Sequence, residues 1–341
     1  MKFAMHGAAS IVTAGEEVRM RSATAGRLTV RQRCRPDGVA PLKKQPPSND
    51  RSSITVGIAT LGRPSILAAA LGHLRRQTRQ PDALIVSATT QADIPESCLH
   101  DGSTRLLLSA QPSLTGQRNV IVEQALGDDI LVFFDDDFFP HESYLEMVAR
   151  HFAADPSIVV ATGTVIADGI KGAGLTPDHA CALLDSAKPG PAGTVDVLGV
   201  YGCNMAIRIA PLREHGIRFD ERLRLYAWQE DTDISRRIAP YGRIVRLTDA
   251  IGVHLGVKLG RGSGVRLGYS QVANPLYIHA KHVGYPLRIA LKLMGKNLAM
   301  NALRALLPEP HVDRRGRLRG NVTALKDLLT GKLDPERILE L

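Results

Sequence analysis

The apolar run Ile130-Leu131-Val132-Phe133-Phe134 ends in three consecutive carboxylates, Asp135, Asp136 and Asp137. A run of this kind reads as a buried strand, and nothing in a strand asks for acids at its end. Adjacent carboxylates repel, and burial drives them to take up protons unless cations or water reach them. A divalent metal is the economical partner, because a hard cation such as Mg²⁺ takes one or two protein carboxylates and completes its shell with substrate phosphate oxygens. The plainer alternative is an acidic surface turn before Pro140. A second acidic group, Glu230-Asp231-Thr232-Asp233, follows Trp228, the one tryptophan of the chain. Acids in the first turn of a helix complement its dipole, so capping alone accounts for them. An indole beside a carboxylate pair also suits a saccharide, whose C–H face stacks on the ring while its hydroxyls bond the carboxylates.

These groups need a frame, and the pattern along the chain supplies one. Residues 54–60 read as a buried strand, 61–64 as a loop and 65–77 as a helix with apolar Ile66, Leu67, Ala70, Leu71 and Leu74. Strands at 83–87, 105–108, 130–134 and 158–166 alternate with helices at 117–125 and 141–154. Such alternation predicts an α/β fold, a mostly parallel sheet flanked by helices, with ligands at the carboxyl ends of the strands, where Asp135 to Asp137 sit. Residues 168–193 read as a loop with a short helix at 179–184, residues 195–200 as a strand, and 258–270 as a Gly-rich loop. Three parts follow: a flexible basic leader over 1–52, the α/β domain over 53–283 and a helical C-terminal extension over 284–341.

Composition narrows the class. With 341 residues, 44% of them hydrophobic and 23% charged, the chain can bury a large core without staples. Cys34, Cys98, Cys181 and Cys203 lie far apart without CxxC spacing, giving neither a zinc signature nor a disulfide framework and fitting a reducing compartment. No apolar run reaches the roughly 18 residues of a spanning helix. No cleaved signal is read, and the expectation is a cytoplasmic protein. A net charge of +9 favours anionic partners without choosing among nucleotides, nucleic acid and lipid. With 4% aromatic residues, a basic face interleaved with stacking rings is not expected, so nucleic acid is set aside.

From Ile54 to His254 the chain resembles the inverting family 2 glycosyltransferases, of the GT-A nucleotide-diphospho-sugar transferase fold and the bacterial polysaccharide-assembly type. Thr60-Leu61-Gly62-Arg63-Pro64, Gly116-Gln117-Arg118-Asn119, Asp135-Asp136-Asp137, Gly202-Cys203-Asn204, Phe219-Asp220-Glu221 and Glu230-Asp231 occur in the family's order. The resemblance implies a nucleotide-sugar donor, UDP-linked by family habit, held by Thr60, Arg63 and Arg118, with Asp135 or Asp136 on the ribose. It implies Mg²⁺ or Mn²⁺ on Asp137, with Asp135 and His254 as further ligands. Asp231 would be the base and Glu230, with Trp228, would hold a saccharide or polyprenyl-diphosphate-linked acceptor. The residue pattern alone leaves His254 open, since a lone histidine between apolar neighbours is as well read as a satisfied core group. One departure concerns the base: the family's acid after the second strand is missing, and no carboxylate follows until Asp93.

Two other readings stay open at the level of sequence: a nucleotidyltransferase on a related fold, and a non-catalytic sugar-nucleotide-binding protein. Residues 286–307 read as a helix with Arg288, Lys292 and Lys296 at four-residue spacing and no acid before Glu309. Either it packs on the core like other amphipathic helices, or it lies on the cytoplasmic face of an anionic membrane and makes the protein peripheral there.

Overall fold

The structure, a computed structural model, describes residues 51–99, 104–109, 112–258, 263–307 and 309–341. The leader expected over 1–52 therefore lies outside the described residues except for its last two positions. Arg261, in the glycine-rich stretch, lies outside them too.

Four parallel strands begin the sheet: β1 (Ile54–Ala59), β2 (Ala83–Ala88), β3 (Thr104–Leu108) and β4 (Ile130–Asp135). Helices α1 (Pro64–Leu74), α2 (Glu96–Leu99) and α3 (Leu114–Ala125) lie between them in sequence. The spatial order β3-β2-β1-β4 shows that the chain winds outward from β1 and then returns to its other side. β1 and β4 are therefore neighbours whose following loops part in opposite directions, which opens a crevice at their carboxyl ends. Ala59 is in register with Asp135, so the loop carrying Thr60 and Arg63 leaves the sheet beside the acidic run.

The second half adds β5 (Phe138–Pro140), α4 (Tyr144–Ala154), β6 (Ile158–Asp168), α5 (Pro177–Ser186), β7 (Thr194–Asp196), β8 (Asn204–Arg208), α6 (Ile209–Glu214), α7 (Glu230–Ile238) and β9 (Arg243–His254). β6 and β9 keep the direction of β1 to β4, while β5, β7 and β8 oppose it. The α/β class and the mostly parallel sheet are as the sequence predicts. Of the strand read over 195–200, Thr194–Asp196 stays in the sheet, as an edge pairing with β9. The three-residue β5, which the sequence reading missed, pairs Phe138 with His254. It turns the acidic run back along the sheet instead of leaving it in a surface turn. One apolar cluster, with Val56, Ile58, Val132 and Phe134, fills one side of the sheet; Ile85, Leu131, Phe133 and Ile207 belong to another.

Helices α8 (Gly264–Ala280), α9 (Leu287–Leu306) and α10 (Arg314–Leu329) and a closing 3₁₀ turn, Pro335–Glu340, form the C-terminal helical region. The loop read over 258–270 is corrected by α8, which starts at Gly264 with the Ser263 hydroxyl accepting the Arg266 N–H. Propensity gives no hint of this helix. It is fixed by tertiary contact: a Cβ on Gly268 would lie 2.0 Å from the Arg317 carbonyl oxygen, and one on Gly320 2.0 Å from that of Val265, so α8 and α10 touch backbone to backbone.

The β5–β9 pairing depends on another glycine. A Cβ at Gly252 would lie 2.1 Å from Cζ of Phe138, a buried ring stacked on Phe134 and edge-on to Tyr144. Gly252→Ala is expected to destabilise the fold by about 1–3 kcal/mol through overpacking. Gly72→Ala, at a helical glycine with open space around it, should stabilise by about 0.5–1 kcal/mol. Thermal unfolding midpoints of the two variants against wild type check both signs.

Candidate active site

Asp135, Asp136 and Asp137 point to different surroundings because Asp135 ends β4 while Asp136 and Asp137 form the turn into β5. Asp136 turns inward and is fully buried. It accepts the Thr60 hydroxyl at 2.7 Å and pairs with Arg63 Nη2 at 2.7 Å, and burial pushes its pKa up to about 7 against the pull of that guanidinium. Of the two acids read as ribose contacts, Asp135 lines the pocket, and Asp136 fastens the loop after β1. Asp137 Oδ2 accepts the Val257 N–H at 2.8 Å, while its Oδ1 lies 3.4 Å from His254 Nε2. Burial raises the Asp137 pKa, but the bond from His254 and the charge of Arg63 outweigh it and hold it low.

One ligand atom from each of Asp135, Asp137 and His254 lies within 4.8 Å of the other two. The surroundings of His254 fit a metal ligand. Its Nδ1 is 2.9 Å from Asp168 Oδ1 and 3.1 Å from the Tyr201 hydroxyl, which leaves Nε2 turned toward Asp137. A carboxylate on the far nitrogen fixes the ring orientation and raises its basicity, as is usual for ligating histidines. Burial lowers the His254 pKa, but Asp137 and Asp168 more than offset it and hold it at about 10. Arg63 Nη1 lies 3.6 Å from Asp137 and supplies positive charge to the same cluster.

Arg118 is placed differently from the sequence expectation. It is 2% exposed and does not line the pocket. Its Nη1 donates to Glu230 Oε1 at 2.5 Å, and its Nη2 donates to Asp135 Oδ1 at 3.0 Å and to the Gly202 carbonyl at 2.9 Å. The paired bonds to oxygen expected of this arginine are made, but to the protein's own acids. Glu230 is likewise enclosed: it is 5% exposed, its Oε2 has no hydrogen-bond partner among the described residues, and burial raises its pKa to about 8 against the pull of Arg118. Asp231 is half-buried. It accepts the Gly202 N–H at 2.9 Å and the Thr232 N–H at 2.6 Å. Burial raises its pKa as well, tempered by those two N–H groups.

The pocket beside this cluster is walled by Thr60, Leu61, Arg63, Pro112 to Leu114, Asp135 and the segment Arg224 to Trp228, with Arg266 and Ile338 from the C-terminal region. Thr60, Arg63, Asp135 and Trp228 thus share one cavity, while Asp137, His254, Glu230 and Asp231 are not among its lining residues. Asp93, the first acid after the second strand, does not line this pocket. It accepts the N–H groups of Gly62 and Thr90 and the Thr89 hydroxyl, fastening the loop after β1.

Sequence reasoning gave no role to Asp168, which lies in a stretch without a motif, or to Tyr201, which directly precedes the block at Gly202. Gly202 stands in the block Gly202-Cys203-Asn204, but its role was not read from sequence: a Cβ there would lie 2.9 Å from Glu230 Oε1 and 3.3 Å from both Arg118 and Asp231. Gln117 was within reach: it stands in a quoted motif, and its side-chain amide bonds the carbonyls of Thr60 and Ser87, joining the ends of β1 and β2.

The order of the sheet, with β8 reversed between β4 and β6, and acids at the point where the winding turns back, give the chain the GT-A architecture. Residues 55–216, a little under half of the chain, match the family model for Glycosyl transferase family 2. A structure of TarS from S. aureus, residues 1–349, shares the fold with a TM-score of 0.53 at 15% identity, over 84% of this chain and 82% of that one. TarS 1–349 in complex with UDP gives 0.45 at 19% identity over 59% of each chain. The mannosyltransferase PcManGT from Pyrobaculum calidifontis, in complex with GDP-Man and Mn²⁺, gives 0.48 at 17% over 89% of this chain and 88% of that one. The chain spans 59% of the length of the UDP complex and 40% of a further TarS structure. No sequence among the curated proteins matches it.

Mn²⁺ titrated into the protein is expected to bind, and Asp137→Ala to abolish binding. Asp168→Asn should weaken it about 10–100-fold, the usual effect of losing the group that orients a ligating histidine. Calorimetry and the Mn²⁺ electron paramagnetic resonance signal read both without any substrate. An unchanged affinity in Asp168→Asn would dissociate that carboxylate from the site.

Proposed function

We propose that the protein moves a sugar from a nucleoside-diphosphate donor, UDP-linked in the first instance, to a saccharide or lipid-linked saccharide acceptor, with inversion at the anomeric carbon. The observation that carries this reading is Arg118: one buried guanidinium touches Asp135 of the metal-ready triad and Glu230 of the carboxylate pair, so the two groups stand one side chain apart. A divalent cation held by Asp135, Asp137 and His254 would act as a Lewis acid, offsetting the charge that develops on the departing diphosphate. Thr60 and Arg63, set by Asp136, border the donor. Asp231 takes the proton of the acceptor hydroxyl as that oxygen bonds the anomeric carbon. The bond to the diphosphate oxygen breaks on the opposite face and its electron pair leaves with the nucleotide. A raised Asp231 pKa suits a base, since proton transfer is most efficient when the pKa lies near the working pH. Glu230 serves this chemistry through Arg118, holding the pair in place, in keeping with its enclosure.

Asp231→Asn should leave UDP binding intact and lower turnover by about 10²-fold or more, the scale of a lost general base. Turnover near wild type would remove Asp231 from the role, and a product with retained configuration would remove the inverting mechanism.

The acceptor reading draws on α9. Among the described residues no helix is long and apolar enough to cross a membrane. Yet α9 turns only Ala290, Met294, Asn301 and Ala305 fully inward. Leu287, Leu291, Leu303 and Leu306 are exposed beside Arg288, Lys292 and Lys296, and the helix holds no acid. Exposed leucines edged by cations suit a helix seated on an anionic bilayer surface, which would bring the site to a polyprenyl-diphosphate-linked acceptor. Sedimentation with vesicles should show salt-sensitive binding to anionic but not neutral lipid. The combined change of Arg288, Lys292 and Lys296 to Gln should abolish it. Equal binding to both vesicle types would argue against the surface reading.

A further inference from the structure

The pocket wall leading into Glu230 is unusual backbone. Among the described residues, non-glycine positions with positive φ are Leu225, Ala227, Gln229 and His282, and three of these four fall in the eight residues before α7. L-residues visit this region at a cost, and they stay there only when the surroundings over-determine them. Part of the hold comes from the α/β domain and α8. The Leu225 carbonyl accepts the Leu114 N–H, the Leu223 carbonyl accepts the Thr115 hydroxyl, and the Trp228 carbonyl accepts the Asn274 side-chain amide at 2.7 Å.

The rest comes from the closing turn of the chain. Glu336 Oε1 accepts Arg224 Nε at 2.9 Å and Nη2 at 2.5 Å, and its Oε2 accepts Arg222 Nε at 3.3 Å. Asp334 accepts Arg222 Nη2 at 2.7 Å, and its other oxygen receives the Glu336 N–H at 2.9 Å. The same turn gives Ile338 to the pocket wall and to the apolar cluster on which Leu225 packs. Two arginines that flank the strained stretch on its N-terminal side therefore end on one carboxylate that lies far along the chain.

We propose that Glu336 is a positioning residue for this pocket: by gripping Arg222 and Arg224 it holds segment 222–229 in the left-handed path that sets Trp228 on the wall and delivers Glu230-Asp231 to the site. The pairs it makes are half-exposed, so each is weak and screened by salt. The clamp tilts the segment toward its closed path while the buried backbone bonds carry the fold, and its removal should loosen the wall without unfolding the protein. The inference concerns the same pocket as the transfer reading but is tested without substrate, so the two fail separately.

Trp228, the single tryptophan, reports on the segment directly. Acrylamide quenching of its fluorescence in the full-length protein should rise about twofold or more in Glu336→Gln, as expected when a weak pair that biases a two-state segment is lost. Glu336→Asp, which keeps the charge, should stay closer to wild type. Raised salt should increase quenching in wild type and have little further effect in Glu336→Gln. Arg243→Gln, which removes an equally exposed arginine paired with Asp155 and Asp196, should leave quenching unchanged. Equal quenching in wild type and Glu336→Gln overturns the proposal, and so does an equal rise in Arg243→Gln. If Glu336→Gln does not fold, the salt response of wild type and the Arg222→Gln/Arg224→Gln double variant decide on the same readout.

Discussion

Five carboxylates, Asp135, Asp136, Asp137, Glu230 and Asp231, gather at the carboxyl ends of β1 and β4, and all but Asp135 and Asp231 are almost wholly buried. Like charges at such spacing are tolerated only with counter-charges supplied from within. Arg63 faces Asp136 and Asp137, Arg118 joins Asp135 to Glu230, and His254 stands between Asp137 and Asp168. Removing one member would leave its partners charged and unpaired in a low dielectric, which is far more costly than never having built the pair. The cluster therefore constrains both the loop after β1 and the start of α7.

The sheet order explains why the charges collect where they do. Winding outward from β1 and returning to β4 leaves a crevice between their carboxyl ends, and β8, entering reversed beside β4, brings Tyr201 and Gly202 to the same end. Gly202 couples the two halves: its carbonyl accepts from Arg118 and its N–H donates to Asp231, in a space that admits no side chain. Asn119, next to Arg118, bonds the Phe219 backbone and Glu221, so the motif that opens α3 is tied to the block that precedes the pocket wall. Motifs far apart in sequence occur together because they hold one another.

The C-terminal region extends this logic beyond the α/β domain. α8 and α10 meet through glycines, and the closing turn reaches back to Arg222 and Arg224 and adds Ile338 to the pocket. The pocket is thus assembled from the switch point of the sheet on one side and from helices that follow the last strand on the other. Such division lets the geometry of an α/β crevice be combined with a wall built from loops and helices outside the sheet.

The sequence by itself determined the fold class and marked the acids at 135–137, because hydrophobic period and unexplained carboxylates are local signals that survive without coordinates. Trp228 was singled out by its place beside Glu230-Asp231, and Thr60 and Arg63 by the family resemblance; with Asp135 they line one pocket. What each does to its neighbour was decided only by tertiary structure. Whether Asp136 faces the ribose or the core depends on the turn into β5, three residues whose pairing with β9 leaves no periodic mark. Whether Arg118 meets a ligand or Glu230 depends on α7 arriving from more than a hundred positions away, and Asp168 and Glu336 carry no motif at all. Burial and long-range pairing set the charge state and direction of a polar side chain, and neither is written in the types of its sequence neighbours.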